Sequence, residues 1–222
     1  MQAAKNNRRL TLLRTAEALF ASKGIDAVSL NEINKAAGQK NTSAMHYYFG
    51  SKEKLIETII YEEFEGIVEH LNSGFDELEA RQSYTGRDLI NAVMSPFVAM
   101  LDDERGTNYL HIIAQLLNRK ANMPFRDDQP KPVEAVKARA FALAQQFYAD
   151  LPDEVKITRL IMFGTLLFRS LVSYAQFDED GTENILGEKN LFVNVLAEAL
   201  EQVIFAPMSE PTRQCLSKKH QG

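Results

Sequence analysis

Residues 41–55 read NTSAMHYYFGSKEKL. Met45, Phe49 and Leu55 are plain core formers. Around them stand two tyrosines, a histidine, three small hydroxyls and two lysines, more rings and donors than so short a segment can bury. Gly50 supplies a helix stop and Ser51 a cap for whatever follows. A helix starting at Asn41 or Thr42 and ending at Phe49 puts Met45 and Phe49 four apart on one face. Ser43, His46 and Tyr47 then share another face, with Tyr48 lateral. Asn41 and Thr42 stand at the end where the backbone donors and the helix dipole are positive. Lys52 opens the next helix one turn on. Such groups donate to phosphates, and Ser, Thr, Asn and His reach base edges from a helix in a major groove. Packing of His46, Tyr47 and Tyr48 on neighbouring helices explains the same pattern, and periodicity alone does not choose between the two.

Working outward, a helix over 6–23 carries Leu10, Leu13, Ala16 and Phe20 as one apolar stripe, and Gly24 ends it. Ser29 with Glu32 forms a capping box that opens a short helix over 30–37, stopped by Gly38. Two-turn helices are marginal alone and must pack on one another. Joined by the polar turn 39–41, the second and third make a helix-turn-helix. Downstream, helices are expected from Lys52 to about 80, then over 86–102 with a kink at Pro96, 105–119, 132–149, 153–177 and 188–205. Loops are expected at 122–132 and 178–187. No alternating strand runs or hairpin signals occur, so the fold class is all-α. The domain reading is a helix-turn-helix over 1–54, a larger helical body over 55–206, and a disordered tail over 207–222.

Composition agrees. The 222 residues are 45% hydrophobic and 25% charged, ordinary for a globular protein with its own core. The net charge of −5 divides into +5 over 1–54 and −10 over 55–222. A basic head on an acidic body is compatible with a nucleic-acid partner, where an acidic whole would not be. The single cysteine, Cys215, forms no intramolecular disulfide, which fits a reducing cytoplasm. The longest apolar run, LIMFGTLLF at 160–168, is flanked by Arg159 and Arg169 and falls short of the roughly 18–20 residues a span needs. It reads as a buried helix, and no membrane partner is expected. Arg14 and Glu17 interrupt the apolar stretch after Arg8 and Arg9, against an export signal. His46, His70, His111 and His220 lack metal-ligand spacing, Ser43 and His46 lack a third orienting group, and no glycine-rich phosphate loop is present. No metal, cofactor or catalytic centre is expected.

Three segments, TAEALFASKG at 15–24, VSLNEINKAAG at 28–38 and SAMHYYFGSKEKLI at 43–56, resemble the TetR family of transcriptional regulators in order and spacing. The resemblance covers about the first sixty residues. It implies a DNA-contact set of Lys40, Asn41, Thr42, Ser43, His46, Tyr47, Tyr48 and Lys52, with Ser29 touching a phosphate. The turn after Gly38 is one residue longer than the commonest pattern, and the aromatic order is His-Tyr-Tyr-Phe in place of Tyr-Tyr-His-Phe. The resemblance further implies a homodimer on double-stranded DNA and a body that binds a small effector. Segments 157–175 and 191–205 are apolar on more than one face. They are expected to form a four-helix dimer interface through Leu160, Phe163, Leu167, Leu171, Phe192, Leu196 and Leu200. The helix around Pro96 is rich in Met and Phe, as an adaptable apolar pocket would be. Met94, Phe97, Met100 and Phe163 are its expected walls and Tyr109, His111 and Gln115 its polar groups, for an apolar or amphipathic ligand. The resulting expectation is a repressor, released from a palindromic operator by its effector. A DNA-organising protein of the same fold without an effector, or a ligand-binding protein without DNA binding, would carry many of the same features.

Overall fold

The computed structural model describes residues 2–39, 44–117, 131–148, 150–179 and 185–219. Among these every element is helical. The head begins with α1 (Gln2–Lys23), which buries Leu12, Leu13, Ala16 and Phe20 completely. Leu10, expected in that stripe, is 44% exposed and Leu12 takes its place. Gly24, at φ 92°, turns the chain while its N–H still bonds to the Phe20 carbonyl at 3.1 Å. Ser29 caps α2 (Leu30–Ala36) by accepting from the Glu32 N–H at 3.2 Å. Lys23 takes the Glu32 carboxylate at 2.7 Å and, with the Ser29 backbone N–H, holds it below the usual carboxylate range. After α3 (Ala44–Phe49), Gly50 at φ 76° stops the helix and Ser51 caps α4 (Lys52–Glu79), accepting from the Lys54 N–H at 3.2 Å.

The head core does not end with the head. Leu55, Ile56 and Ile59 of α4 belong to it, and so do Ile112 and Leu116 of α6 (Glu104–Leu116), about fifty residues further on. Between those two, Gln115 donates to the Phe20 carbonyl at 2.9 Å and accepts from the Ile25 N–H at 2.7 Å. One carboxamide thus satisfies both a terminal carbonyl of α1 and a donor in the turn that follows. A boundary drawn between 54 and 55 passes through the first turn of a continuous 28-residue helix.

In the body, Thr85 and Asp88 form a reciprocal capping box at the start of α5 (Gly86–Ala99). The expected kink at Pro96 falls in the last turn. The Ala92 carbonyl, deprived of the proline N–H, receives the Ser95 hydroxyl at 3.2 Å, and the chain then tightens into a 3-10 turn over Met100–Asp102. A Cβ at Gly106 would overlap the Met100 backbone, so only glycine lets α6 start against that turn. The body continues with α7 (Lys131–Tyr148), α8 (Asp153–Glu179) and α9 (Lys189–Phe205). Its core joins Ile67, Leu71, Phe75 and Leu78 of α4 to the inner faces of α5 to α9. Arg159 of α8 reaches the end of α9, donating to the Ile204 and Ala206 carbonyls at 2.9 and 2.6 Å.

Three expectations are corrected here. The tail from 207 holds a helix, α10 (Glu210–Lys219), whose first turn is held by Ser209, hydrogen-bonded to the Thr212 hydroxyl at 2.9 Å and by carbonyl to the Arg213 N–H at 3.1 Å. Leu167, Leu171, Leu196 and Leu200 pack into the core of their own chain, and Phe192 stacks on Tyr174 at 4.5 Å. The large apolar residues that α8 and α9 leave exposed are instead Ile157, Ile161, Met162, Phe177, Leu191 and Val195. Finally, an 18-residue window within Lys189–Ser217 reaches a mean hydropathy of 1.4, enough for a membrane span, where the sequence reading found no such stretch. It is not one rod: α9 ends at Phe205, Ala206 turns to ψ 142°, and Leu196, Ala197, Leu200 and Ile204 are buried in the body. The expected loop at 122–132 lies largely outside the described residues.

Replacing Ser29 by Ala is expected to lower unfolding free energy by about 1 kcal/mol through the lost cap. Gln115→Ala leaves the Ile25 N–H without its partner and is expected to cost about 1–3 kcal/mol. Urea denaturation of both variants measures the two effects, with Gln115→Ala expected to unfold at the lower urea concentration.

Candidate nucleic-acid interface

On α3, the two residues that face inward, Met45 and Phe49, anchor the helix in the head core. This fixes what faces out. Tyr47 is 66% exposed and His46 is exposed beside it. Tyr48 is half-buried on the flank, packed against the core and edge-on to Tyr47 at 5.0 Å between ring centres. The packing explanation therefore holds for Tyr48 in part and fails for Tyr47. His46 Nδ1 lies 2.8 Å from the Gly50 carbonyl, which accepts only, so Nδ1 carries the proton. The other nitrogen of the neutral ring is then an acceptor; protonation would make it a donor. Lys52, half-buried, holds its ammonium 5.7 Å from the centre of the Phe20 ring. Ser29 is exposed, with its hydroxyl accepting at the α2 cap. Lys40, Asn41, Thr42 and Ser43 lie outside the described residues.

One residue in this region escaped the sequence reading. Lys5, near the start of α1, holds its ammonium 4.9 Å from the centre of the Tyr47 ring. The Tyr47 side chain beside it raises its pKa above the ordinary lysine value. Lys5 and Tyr47 are far apart in sequence, and no local spacing could have paired them. Behind this surface, Glu62 of α4 receives Arg9 and Arg14 of α1 at 3.4 and 3.1 Å, and Arg105 of α6 pairs with Glu63. Those arginines tie helices together, while Lys5, Tyr47 and His46 face outward.

The expected effector residues are dispersed. Met94 and Tyr109 are sealed in the body core, where burial pushes the Tyr109 phenol well above its usual range. Phe97 packs edge-on to Phe168 at 4.8 Å, and Met100 belongs to the 3-10 turn. Gln115 is engaged at the head, and His111, one turn before it, offers its carbonyl to the same carboxamide at 3.2 Å. Phe163 alone of the set lines the apolar cavity of the body, as does Leu160, which was expected at a dimer interface. That cavity, of about 180 Å³, lies among α5, α7, α8 and α9, with Val93, Ala140, Phe141 and Tyr148 also in its wall and Lys137 as its charged residue among the described ones. The signal for it was present in the sequence: Val133, Lys137, Ala140, Ala144 and Tyr148 recur at helical spacing, so a lysine sits in an otherwise apolar stripe. A second groove of about 330 Å³, between α4 and α5, is lined by polar groups including His70, Glu77 and Asn91, and two of its charges, Arg81 and Asp88, pair with each other at 3.4 Å.

Residues 12–59 match the family model of bacterial regulatory proteins of the tetR family. No curated protein matches the chain in sequence. Among solved structures, the chain is similar to NalD, the secondary repressor of the MexAB-OprM multidrug efflux pump in Pseudomonas aeruginosa. The identity is 18%, the match covers 93% of this chain and 100% of that one, and the TM-score is 0.53. A second crystal structure of NalD matches at 20% identity over 92% and 100% of the two chains, with a TM-score of 0.52. A TetR-family transcriptional regulator from Mesorhizobium loti matches at 17% identity over 90% and 94%, with a TM-score of 0.50. At these identities the likeness carries the fold. The match over residues 12–59 gives the head the helix-turn-helix pattern of tetR-family regulatory proteins, and the solved structures give the chain as a whole the same fold.

Proposed function

We propose that the protein is a homodimeric repressor that grips a palindromic operator with two heads and lets go when a small amphipathic molecule enters the cavity among α5, α7, α8 and α9. The observation that carries this reading is the outward face of α3, where Tyr47 and His46 stand exposed with Lys5 alongside. In this reading Tyr47 and His46 enter the major groove, and Lys5 and Lys52 meet phosphates on either side. Ser29 acts chiefly as a helix cap, and Lys40, Asn41, Thr42 and Ser43 complete the contact set.

Dimerisation in this proposal uses Ile157, Ile161 and Met162 of α8 with Leu191 and Val195 of α9, a face apolar enough to need cover. Pairing it with its own copy is a two-fold, self-complementary contact. Two heads held in this way would address half-sites roughly 34–36 Å apart on one side of the duplex.

The route from cavity to head runs through α7 and α4. Ala140 and Phe141 of α7 form part of the cavity wall. Arg139, between them and Lys137, forks onto Glu79 of α4 at 3.1 and 2.7 Å and also bonds Asp76 and Asn72 at 2.6 and 3.0 Å. A ligand that turns α7 would therefore drag the far end of the helix whose first turns sit in the head core. A ligand shifts the equilibrium only if it favours the altered head spacing over the operator-bound one.

Three outcomes test the proposal. Gel shifts on a duplex selected from a random library should weaken steeply between 50 and 200 mM salt, by about 10³-fold or more if six or more phosphates are contacted. Under the same conditions Tyr47→Ala should cost about tenfold or more in affinity while its urea midpoint stays near wild type; a collapse in stability would return Tyr47 to the core. The double variant Ile161→Asp with Leu191→Asp should run as a folded monomer in light scattering and lose the selected duplex; a stable dimer would reject the assigned face.

A further inference from the structure

His46 is tied twice to the residue that stops its helix. Its backbone carbonyl accepts from the Gly50 N–H at 3.0 Å, and its Nδ1 donates to the Gly50 carbonyl at 2.8 Å. The side chain thus caps a carbonyl at the end of α3, and the cap fixes both the setting of the ring and its tautomer. Gly50 makes this possible through its backbone, at φ 76°; a Cβ there would meet nothing closer than Lys54 at 3.7 Å, so conformation and not space calls for glycine. The aromatic order His-Tyr-Tyr-Phe is what puts an imidazole, rather than a phenol, four residues before that carbonyl. With Nδ1 engaged as donor, Nε2 of the neutral ring has a lone pair and no proton to offer. His46 is exposed, and Nε2 has no hydrogen-bond partner among the described residues. We infer that His46 is a specificity-determining residue that accepts, through Nε2, from the exocyclic amino group of an adenine or a cytosine at one position of each half-site. This rests on the reading of α3 as the helix that enters the major groove.

Hydrogen-bond polarity carries the assignment. Phosphate oxygens only accept, so a neutral ring held in this tautomer has nothing to take from the backbone of the duplex. In the major groove, adenine N7, guanine N7 and O6, and thymine O4 also only accept. The donors there are the adenine N6 and cytosine N4 amino groups. Across the groove these two amino groups occupy the place that thymine and guanine fill with a keto oxygen. A lone pair aimed at that place is satisfied by adenine or cytosine and meets another lone pair on thymine or guanine. The choice His46 imposes is therefore amino against keto, with adenine and cytosine treated alike. Tyr47 beside it has a hydroxyl that both gives and takes, and imposes no such choice.

The test uses the full-length protein at about pH 8, where imidazole is in its neutral form. Duplexes are selected from a random library by the wild-type protein and by His46→Ala in parallel. One position in each half-site should tolerate exchange of adenine with cytosine, reject guanine and thymine, and lose that preference with His46→Ala while the other positions keep theirs. At that position the amino group is then removed, by purine in place of adenine or pyrimidin-2-one in place of cytosine. The wild-type protein should bind the stripped duplex about threefold to tenfold more weakly for each half-site, the range of one neutral hydrogen bond, and His46→Ala should not distinguish the two duplexes. An equal loss for both proteins, or no loss for the wild type, overturns the inference, and so does a His46→Ala variant that weakens every duplex alike. In each of those cases the histidine is a helix cap or a general contact, and α3 keeps its place in the groove. If the wild-type protein enriches no duplex, the DNA-binding reading itself fails, and this inference with it. The comparison of intact and stripped duplexes on the wild-type protein decides the question even if the substitution disturbs folding.

Discussion

The carboxamide of Gln115 sits where the two halves of the protein meet, bonded at once to the last turn of α1 and to the chain leaving it. The need behind this contact is elementary. A head of three helices, two of them under eight residues long, cannot bury enough surface to hold its own shape. It borrows Ile112 and Leu116 from α6 and Leu55, Ile56 and Ile59 from α4 to close its core. The surface formed by His46 and Tyr47 is therefore held in place by packing that originates in the body. A head independent of the body would be easier to fold on paper, but it could not be moved by it.

The same economy governs α4. Its first turns lie in the head core and its last turns, through Ile67, Leu71, Phe75 and Leu78, in the body core. Ionic groups tie both ends: Glu62 and Glu63 toward α1 and α6, Asp76 and Glu79 toward α7. Single exposed ion pairs contribute little stability. The fork of Arg139 over Glu79, with Asp76 and Asn72 sharing the guanidinium, is a directional network and fixes how α7 and α4 sit against each other. α4 is thus shared by two cores and clamped at both ends.

The helices α8 and α9 show why apolarity by itself does not name a partner. Both are hydrophobic on more than one face, and the sequence reading assigned the richest leucine positions to a second subunit. Those leucines are in the core of their own chain, because α8 lies against α6 and α9, and α9 against α5. The exposed remainder includes Ile157, Ile161 and Met162 in the first half of α8 and Leu191 and Val195 in the first half of α9. Burial in one's own chain claims the larger and more continuous stripe first, since that contact forms without a second molecule. What is left for a partner is the residue set that intrachain packing could not use.

Local chemistry made much of this legible. Gly24, Gly38 and Gly50 as stops, and Ser29 and Ser51 as caps, placed the helices of the head from spacing alone, because a cap or a left-handed turn acts within a few residues. The outward setting of His46 and Tyr47 followed from Met45 and Phe49 pointing in. Helical order in 210–219 was missed, although Ser209 and Thr212 were local signals for it. Tertiary structure alone decided the pairing of Lys5 with Tyr47, the use of Gln115 at the head rather than in a pocket, the siting of the cavity beside Lys137, and which apolar face of α8 and α9 remains uncovered. Spacing along a helix tells which residues share a face. Which other element that face meets depends on crossing angles and contacts between residues far apart in the chain, and these leave no periodic trace in any single segment.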